Sequence, residues 1–278
     1  MTILTAHDFL QDWKPKKPLD NPALKTGFRV IDETTGGLRP GNIYIVAGRP
    51  CMGVSTTLRS MTINVLRQDA KVLYCTSGKP IDPEVIRMLS HITGRVDVDD
   101  IEWDTLSDAQ RSLLNRAKNQ LSGNSLSFSR EKSFGALLEE CKSFVTNNHR
   151  KLPLIVIDNP IFLDADSTAN ESVGRSLSKL SYEHQVPIII AAGALPRADR
   201  KSLHESRLAD VKAAFDILDF ADVVLFLRRE EYYNLDTEER MIAAIKIVKN
   251  NGRATGSYQQ AVFLDSISSI QEKDGILA

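Results

Sequence analysis

The sequence predicts an α/β protein whose central sheet is mainly parallel and carries helices on both faces. Short runs rich in β-branched residues, such as those at 42–48 and 152–164, alternate with amphipathic segments of helical period. These runs are apolar almost throughout, which is typical of parallel strands covered on both faces. Three late runs, at 221–229, 242–250 and 258–266, follow one another without helices between them. We therefore expect an antiparallel extension at one edge of the sheet.

The other elements follow from periodicity and from Gly and Pro boundaries. A short helix at 5–13 places Phe9, Leu10 and Trp13 on one side, and a Pro- and Lys-rich linker follows at 14–25. This helix either packs on its own domain or docks on a neighbouring subunit. Further strands are predicted at 71–77, 125–129 and 186–194, and helices at 56–67, 83–94, 101–121, 134–148 and about 170–184.

The composition excludes several classes of protein. The chain has 278 residues, 42% of them hydrophobic, which is enough for a substantial core. Its formal net charge of −1 gives no overall field that attracts nucleic acid, so any DNA contact must come from a local patch. Cys51, Cys75 and Cys141 are widely spaced and form no metal-binding pattern. No apolar window approaches the ~20 residues of a membrane span and no signal peptide is visible, so we expect a cytoplasmic protein without a membrane partner.

The stretch GRPCMGVS at 48–55 has the frame of a phosphate-binding loop, directly after a strand and directly before a helix. In such a loop, glycines let backbone N–H groups surround phosphate oxygens, a lysine bridges the β and γ phosphates, and a hydroxyl binds Mg²⁺. Gly48, Gly53 and Ser55 keep this frame, but Val54 stands where the lysine belongs. On these eight residues alone, a nucleotide-binding loop and a coincidental strand–turn–helix both remain open.

The sequence around this loop resembles the helicase domain of the DnaB family, which has a RecA-type fold. The run TGFRVIDETTGGLRPGNIYIVAGRPCMG at 26–53 is similar to the opening of that domain. Similar blocks follow in the same order, at LPLIVIDNP, VPIIIAAGALPR, DVKAAFDILDFADVVLFLRREEYY and IKIVKNNGRATG. The resemblance implies a RecA-like P-loop NTPase fold for residues 26–278, as a degenerate DnaB-type ATPase domain. Residues 1–25 then take the place of the family's linker helix, which docks on the adjacent subunit.

The same resemblance implies a nucleotide site. Asp158 matches the family's Walker B aspartate and, with the Ser55 hydroxyl, forms the implied magnesium ligand set. The implied nucleotide-binding residues are Gly48, Arg49, Gly53, Ser55, Thr56, Asp158, Lys249 and Arg253. Lys212 is the implied DNA contact, although this chain reads Lys-Ala-Ala-Phe where the family has Arg-Glu-Ser-Gly.

Four catalytic positions depart from the family pattern. The loop lysine, the water-activating glutamate, the γ-phosphate-sensing glutamine and the arginine finger correspond to Val54, Gly78, Ala194 and Asn251. A lysine ~4 Å from a phosphate charge is worth on the order of 4 kcal/mol at an effective dielectric of 20. A positioned base contributes roughly 10²–10⁴ in rate and an arginine finger about 10³–10⁵. We therefore expect no catalytic residue at these positions, hydrolysis near background, and ATP or ADP with Mg²⁺ bound weakly or not at all.

The sequence leaves three hypotheses open. The first is a DnaB-like protein of DNA replication that has lost hydrolysis and acts by assembly with itself, with a DnaB-type helicase or loader, or with single-stranded DNA. The alternative is an active ATP-dependent 5′–3′ DNA helicase with relocated groups, with Lys79 or the linker lysines as cation and Asp82 or Glu84 as base. Arg253 would then replace the finger only if its loop shifts. The third is a switch that binds nucleotide without cleaving it.

Overall fold

The computed structural model describes residues 22–123, 125–148, 151–158, 160, 172–194, 208–212, 216–251 and 253–273. The helix predicted at 5–13 and most of the predicted linker lie outside these residues. At the start of the described chain, the backbones of Leu24 and Leu38 exchange two hydrogen bonds, and both side chains are buried. The packed part of the chain therefore includes Leu24, ahead of the predicted domain start at residue 26.

A ten-stranded sheet forms the centre of the fold and confirms the predicted α/β architecture. Its strands are β1 Ile43–Gly48, β2 Lys71–Cys75, β3 Leu126–Ser129, β4 Pro153–Ile157, β5 Ile188–Ala194, β6 Val211–Lys212, β7 Val223–Arg229, β8 Ile242–Asn250, β9 Tyr258–Leu264 and β10 Ser269–Glu272. Their order is β10-β9-β8-β7-β1-β5-β4-β2-β3, and β6 pairs with β5. The strands from β7 to β3 run parallel, whereas β8, β9 and β10 form the antiparallel extension that the sequence predicts.

Helices cover both faces of this sheet. They are α1 Arg29–Thr35, α2 Val54–Leu66, α3 Asp82–Thr93, α4 Val98–Glu102, α5 Asp108–Leu121, α6 Phe134–Asn147, α7 Val173–His184 and α8 Ile217–Phe220. Successive side chains of a strand point to opposite faces. Tyr44 and Val46 of β1 accordingly join an apolar cluster with α2, while Ile43, Ile45 and Ala47 join a second cluster with α6 and α7. Burial on both faces explains why β1 reads as a continuous apolar run.

The parallel strands start at one edge of the sheet and finish at the other. Tyr44 of β1 pairs with Ile189 of β5 and with Val223 of β7, so these strands start at one level. We call the end where the parallel strands start the amino edge, and the end where they finish the carboxyl edge. Because β8 runs antiparallel to β7, its last residue, Asn250, pairs with Val223 at the amino edge.

Some element boundaries differ from those predicted. The single helix expected at 101–121 is two helices, α4 and α5, because Ser107 and Gln110 form a capping box that starts a new helix. Strand β10 has the sequence SIQE, which is too short and polar to stand out as an apolar run. Among the described residues, no helix combines the length and the apolar character needed to cross a bilayer.

Candidate nucleotide site

The loop between β1 and α2 keeps the backbone of a phosphate-binding loop. Gly53 directly precedes α2 and has a left-handed conformation, with φ 93°. A Cβ on Gly53 would lie 2.5 Å from Cε2 of Phe263, a residue of β9, so only glycine fits between the loop and this ring. The Gly53 carbonyl accepts hydrogen bonds from the Thr57 backbone N–H at 2.8 Å and from its hydroxyl at 2.9 Å.

Val54 turns the inner surface of this loop apolar. Its Cγ2 atom lies 3.0 Å from the point where a Cβ on Gly48 would be, so the valine side chain leans across the start of the loop. Val54 also packs against the apolar cluster beneath the sheet, and Met52 is fully buried in the same cluster. The position that carries a cation in a working loop therefore carries methyl groups that contact the loop itself.

Ser55 and Asp158 keep the arrangement expected of a magnesium site. The Ser55 hydroxyl donates to Oδ1 of Asp158 at 2.9 Å, and the Tyr74 hydroxyl donates to Oδ2 at 3.2 Å. Burial, followed by the nearby Glu84 carboxylate, raises the pKa of Asp158, whereas the Ser55 hydrogen bond and the Lys79 charge lower it. A hydroxyl and one carboxylate fit Mg²⁺, which takes few protein ligands and completes its shell with phosphate and water oxygens. Within the described ranges, no group of three or more His, Cys, Asp or Glu side chains forms a metal site.

At Gly78, where the resemblance places the family's catalytic glutamate, the stem of a lysine from the segment after β3 takes the space of a side chain. Gly78 follows β2 and has φ 83°, a conformation that disfavours any side chain. A Cβ there would meet Cε of Lys132 and would lie 2.5 Å from its Cγ, because the Lys132 stem crosses directly over Gly78. The sequence shows the loss of the acid at this position but gives no sign of the lysine that covers it.

Glu84, a predicted substitute base, is held in a buried ion pair. Its Oε2 atom accepts from Nη1 of Arg59 at 2.7 Å, and its Oε1 lies 3.5 Å from Nη1 of Arg87. Arg59 also donates to the hydroxyl of Thr56 at 3.1 Å and to that of Ser268 at 2.9 Å. Thr56, a predicted nucleotide contact, is therefore part of a structural network beneath the loop. Asp82, the other proposed base, lies near the surface at the start of α3.

Among the described residues at the carboxyl end of β5, Gly193 and Ala194 carry no polar side chain that could sense a γ-phosphate. Ala194 is its last residue, and β6 pairs with this end, so Gly193 lies opposite Lys212 and Ala194 opposite Val211. The predicted DNA contact Lys212 is thus placed next to the sensor position by backbone pairing.

The remaining predicted residues lie at the opposite edge. Lys249 pairs with Val224 near the start of β7, and its Nζ donates to the Leu218 carbonyl at 3.4 Å. The Asn251 amide donates to the Asp222 carboxylate of the same chain. Arg253 is exposed, and no described carboxylate forms an ion pair with it. With β1 six residues long, this edge is roughly 17 Å from the loop at ~3.3 Å per residue.

The predicted site therefore separates into two parts. The structure brings Gly48, Arg49, Gly53, Ser55, Thr56 and Asp158 together at the carboxyl edge. Lys249 and Arg253 cannot reach a nucleotide on the loop of their own chain, so such a role requires the loop of a neighbouring subunit.

The sequence analysis did not predict a set of contacts that hold the loop at 48–55 against the end of β7. The Arg229 guanidinium lies 3.8 Å above the centre of the Phe263 ring, and its Nη1 donates to the Cys51 carbonyl at 3.3 Å. This contact joins the end of β7 to the loop, and Phe263 in turn limits residue 53 to glycine. No motif spacing marks these residues, because the contact arises only from the pairing of late strands.

Comparison with known proteins gives the family. The model of the DnaB-like helicase C terminal domain matches residues 23–272. The replicative DNA helicase DnaB of Helicobacter pylori is 26% identical over 253 residues, which cover 87% of this chain and 51% of that protein. The corresponding protein of Pasteurella multocida is also 26% identical, over 86% of this chain and 53% of its own length. The chain thus spans about half the length of the curated relatives it matches.

Solved structures agree with this fold. The ATPase domain of G40P superimposes with a TM-score of 0.81 at 19% identity, covering 91% of this chain and 93% of the other. A DnaB-like replicative helicase, described with its interactions with primase, gives a TM-score of 0.80 at 19% identity over 90% of this chain and 61% of the other. The fold is therefore the RecA-like fold of DnaB ATPase domains. Since the family model covers most of its length, this chain belongs to the DnaB-like helicase C-terminal domain family.

Proposed function

We propose that this chain is a replication protein that has lost ATP hydrolysis and acts by assembly, with copies of itself or with a DnaB-type helicase ring. The observation that carries the proposal is Val54, whose methyl group contacts the loop start at Gly48 where a working loop holds a lysine. A lysine ~4 Å from a phosphate charge contributes on the order of 4 kcal/mol at an effective dielectric of 20, and a valine supplies no such charge.

The other catalytic positions support the same conclusion. Gly78 carries no acid and is covered by a lysine stem, and Ala194 ends β5 without a polar side chain. At the amino edge, the position of the arginine finger holds Asn251, whose amide donates to Asp222 of its own chain and which carries no positive charge. Without cation, base and finger, the domain keeps only the Ser55–Asp158 pair and the backbone of the loop.

The relocated-helicase alternative receives little support from the geometry. Glu84 would have to leave its pair with Arg59 before it could accept a proton from water, and this would leave Arg59 buried and unpaired. Asp82 is exposed, which keeps its carboxylate in contact with solvent.

Assembly is supported by the amino edge. The turn that follows β8 is exposed at Asn251 and from Arg253 to Gly256, so it is accessible to another subunit. Lys212 provides a candidate contact for single-stranded DNA, which we place second because the rest of the family's DNA-contacting loop has changed.

Mass photometry tests the assembly proposal. The purified chain is measured alone and after mixing with an active ring helicase from the same source. We expect closed oligomers of the chain, or a ring whose mass increases in steps of one subunit. A chain that stays monomeric in both samples would contradict the proposal.

A further inference from the structure

Two surfaces of the chain carry opposite charge. The first is the late hairpin, residues 242–264, which consists of β8, β9 and the turn between them. The second is the acidic segment, residues 97–108, which includes α4. We propose that the late hairpin of one copy of this chain docks on the acidic segment of a second copy. This inference rests on the proposed function, because it names the surfaces through which copies of the chain assemble.

One face of the late hairpin is apolar and is not covered by a described helix. Alternate residues of β8, such as Ala243 and Ile245, are buried in the cluster with α2, so the residues between them face the other side of the sheet. On that side, the cluster with α6 and α7 includes Phe226 of β7 and reaches Val248, but it extends no further over the described hairpin. The apolar hairpin residues that belong to none of the described clusters include Ile242, Ala244, Val262 and Leu264. An uncovered apolar face of this kind is typical of a surface that contacts another chain.

The same hairpin is basic. Residues 242–264 contain Lys246, Lys249 and Arg253 and no aspartate or glutamate. Lys246 lies on the apolar face, where it pairs across the strands with Tyr258, whose side chain is 45% exposed. Arg253 lies in the exposed turn at the end of the hairpin. The late hairpin therefore combines apolar area with positive charge.

Several carboxylates next to the late hairpin are engaged within the chain. Asp222, before β7, accepts hydrogen bonds from backbone and side-chain amides of its own chain. Glu239, before β8, and Lys273, after β10, both bond to the side chain of Gln260, so their charges offset each other. Glu272 of β10 lies 3.7 Å from an arginine of α1. The charge of the hairpin lysines and arginine is therefore only partly balanced by their surroundings.

The acidic segment has the complementary properties. Residues 97–108 contain six acids and no lysine, arginine or histidine. Trp103 lies within this segment with 73% of its surface exposed. The exposed acids that form no ion pair with a described residue are Asp97, Asp99, Glu102 and Asp108. An exposed indole next to carboxylates suits lysine and arginine side chains, which can contact the ring face while they pair with the acids.

One chain cannot bring these two surfaces together. Met88 of α3 belongs to the cluster with α2, and Leu121 of α5 packs against it, so both helices lie on the α2 side of the sheet. The acidic segment connects α3 to α5 on this side, whereas the apolar face of the late hairpin looks to the other side. A contact between the two surfaces therefore requires two copies. Because each copy carries one surface of each kind, the contact repeats head to tail and closes into a ring or continues as a filament.

Charge reversal on the two surfaces tests the contact in the full chain, with sedimentation velocity as the measurement. One variant carries Lys246→Glu and Arg253→Glu, and the other carries Asp99→Lys and Glu102→Lys. Each variant alone should raise the dissociation constant of assembly by about tenfold or more, because every contact then joins like charges. An equimolar mixture should restore assembly, because alternating copies again join opposite charges. Lys151→Glu, an exposed lysine outside both surfaces, is the matched control and should leave assembly unchanged.

The fluorescence of Trp103 reports on the same contact. Trp13→Phe leaves Trp103 as the only tryptophan of the chain. Its emission should shift to shorter wavelength as the protein concentration rises, since docking removes the indole from water. The shift should be absent when Asp99→Lys and Glu102→Lys are added to this chain, and it should return when the reversed hairpin variant, also carrying Trp13→Phe and Trp103→Phe, is mixed in.

Three results would overturn the inference while the proposed function stands. One is reversal variants that assemble like the unmodified chain, and another is a mixture that assembles no better than its components. The third is a hairpin reversal that weakens binding of a single-stranded oligonucleotide and leaves assembly unchanged, which would assign the basic face to nucleic acid. An unmodified chain that joins an active helicase ring but never another copy would also remove this contact alone. A chain that stays monomeric in both samples would contradict the proposed function and this inference together.

Discussion

The carboxyl and amino edges of the sheet differ from the sequence pattern of the DnaB family in different ways. At the carboxyl edge the scaffold persists, with Gly53 left-handed and Ser55 bonded to Asp158, while the charges around it have changed sign or disappeared. At the amino edge the replaced residue, Asn251, has become part of the fold through its bond to Asp222. The first edge keeps the backbone and the Ser55–Asp158 pair with altered charges around them, and at the second edge Asn251 uses its amide for a contact within the chain.

This difference indicates which parts are structural and which are available for function. Beneath the carboxyl edge, Arg59, Glu84 and His91 are buried and form contacts that link α2, α3 and the segment before β10. At the amino edge, charged residues such as Lys151 and Arg253 are exposed. Substitutions should therefore have large effects on stability below the loop and small ones at the far edge.

The largest expected effect is at Glu84. Glu84→Ala leaves the Arg59 guanidinium buried and unpaired, since their side chains are 11% and 5% exposed. We expect the free energy of unfolding, measured by urea denaturation, to fall by about 3–5 kcal/mol. Lys151→Ala, which removes an exposed ion pair at the amino edge, should leave it unchanged within error. Unaltered stability in Glu84→Ala, with changed ATP turnover, would instead make Glu84 a catalytic group.

A second effect depends on pH. Burial, followed by the charge of Arg67, lowers the pKa of His91 to about 4. The unfolded chain takes up this proton near pH 6.5 and the folded chain only near 4, so stability is lost as the pH falls between these values. The full shift corresponds to about 3 kcal/mol.

The variant His91→Gln should flatten the stability curve between pH 6.5 and 4 relative to the unmodified chain. His184, exposed at the end of α7 near the amino edge, is the matched control. If His184→Gln and His91→Gln had the same effect on the curve, the imidazole of His91 would be accessible to solvent.

The smallest effect is expected at Asn251. Asn251→Ala removes the hydrogen bond to Asp222 on an exposed residue, so the unfolding free energy should fall by about 0.5–1 kcal/mol. Arg253→Ala in the same turn should have no measurable effect on stability. A stability change at Arg253 larger than that at Asn251 would show that the arginine, and not the asparagine, anchors the turn.

Much of the fold could be predicted because buried strands and helices have recognisable patterns of apolar residues in the sequence. Strands such as β1 and β4 are buried on both faces and read as unbroken apolar runs. Strand β10 escaped prediction because its four residues at the edge of the sheet include a single apolar residue, Ile270. The helix predicted at 101–121 is divided by the capping box at Ser107. Hydrophobic periodicity alone does not detect this local start signal.

The candidate site was predictable only in part. Motif spacing predicts the loop residues and Asp158, because the loop comes directly after one predicted strand and Asp158 directly after another. The Lys132 contact with Gly78 depends on which strands become neighbours, and spacing along the chain does not reveal this. The antiparallel return of β8 places Lys249 and Arg253 at the other edge, and spacing along the chain does not reveal whether they serve a nucleotide of their own chain or of a neighbouring subunit.

Steady-state phosphate release at saturating MgATP, with and without single-stranded DNA, tests the loss of hydrolysis most directly. The measurement should use the assembled protein, since a neighbouring subunit contributes to any site between subunits. Typical enzyme turnover is roughly 1–10³ s⁻¹, and we predict turnover below about 0.01 s⁻¹ in both conditions, because the proposed function leaves Val54, Gly78 and Asn251 without a cation, a base or a finger. DNA-stimulated turnover of about 1 s⁻¹ or more would contradict the account and would require catalytic groups at positions other than Val54, Gly78 and Asn251.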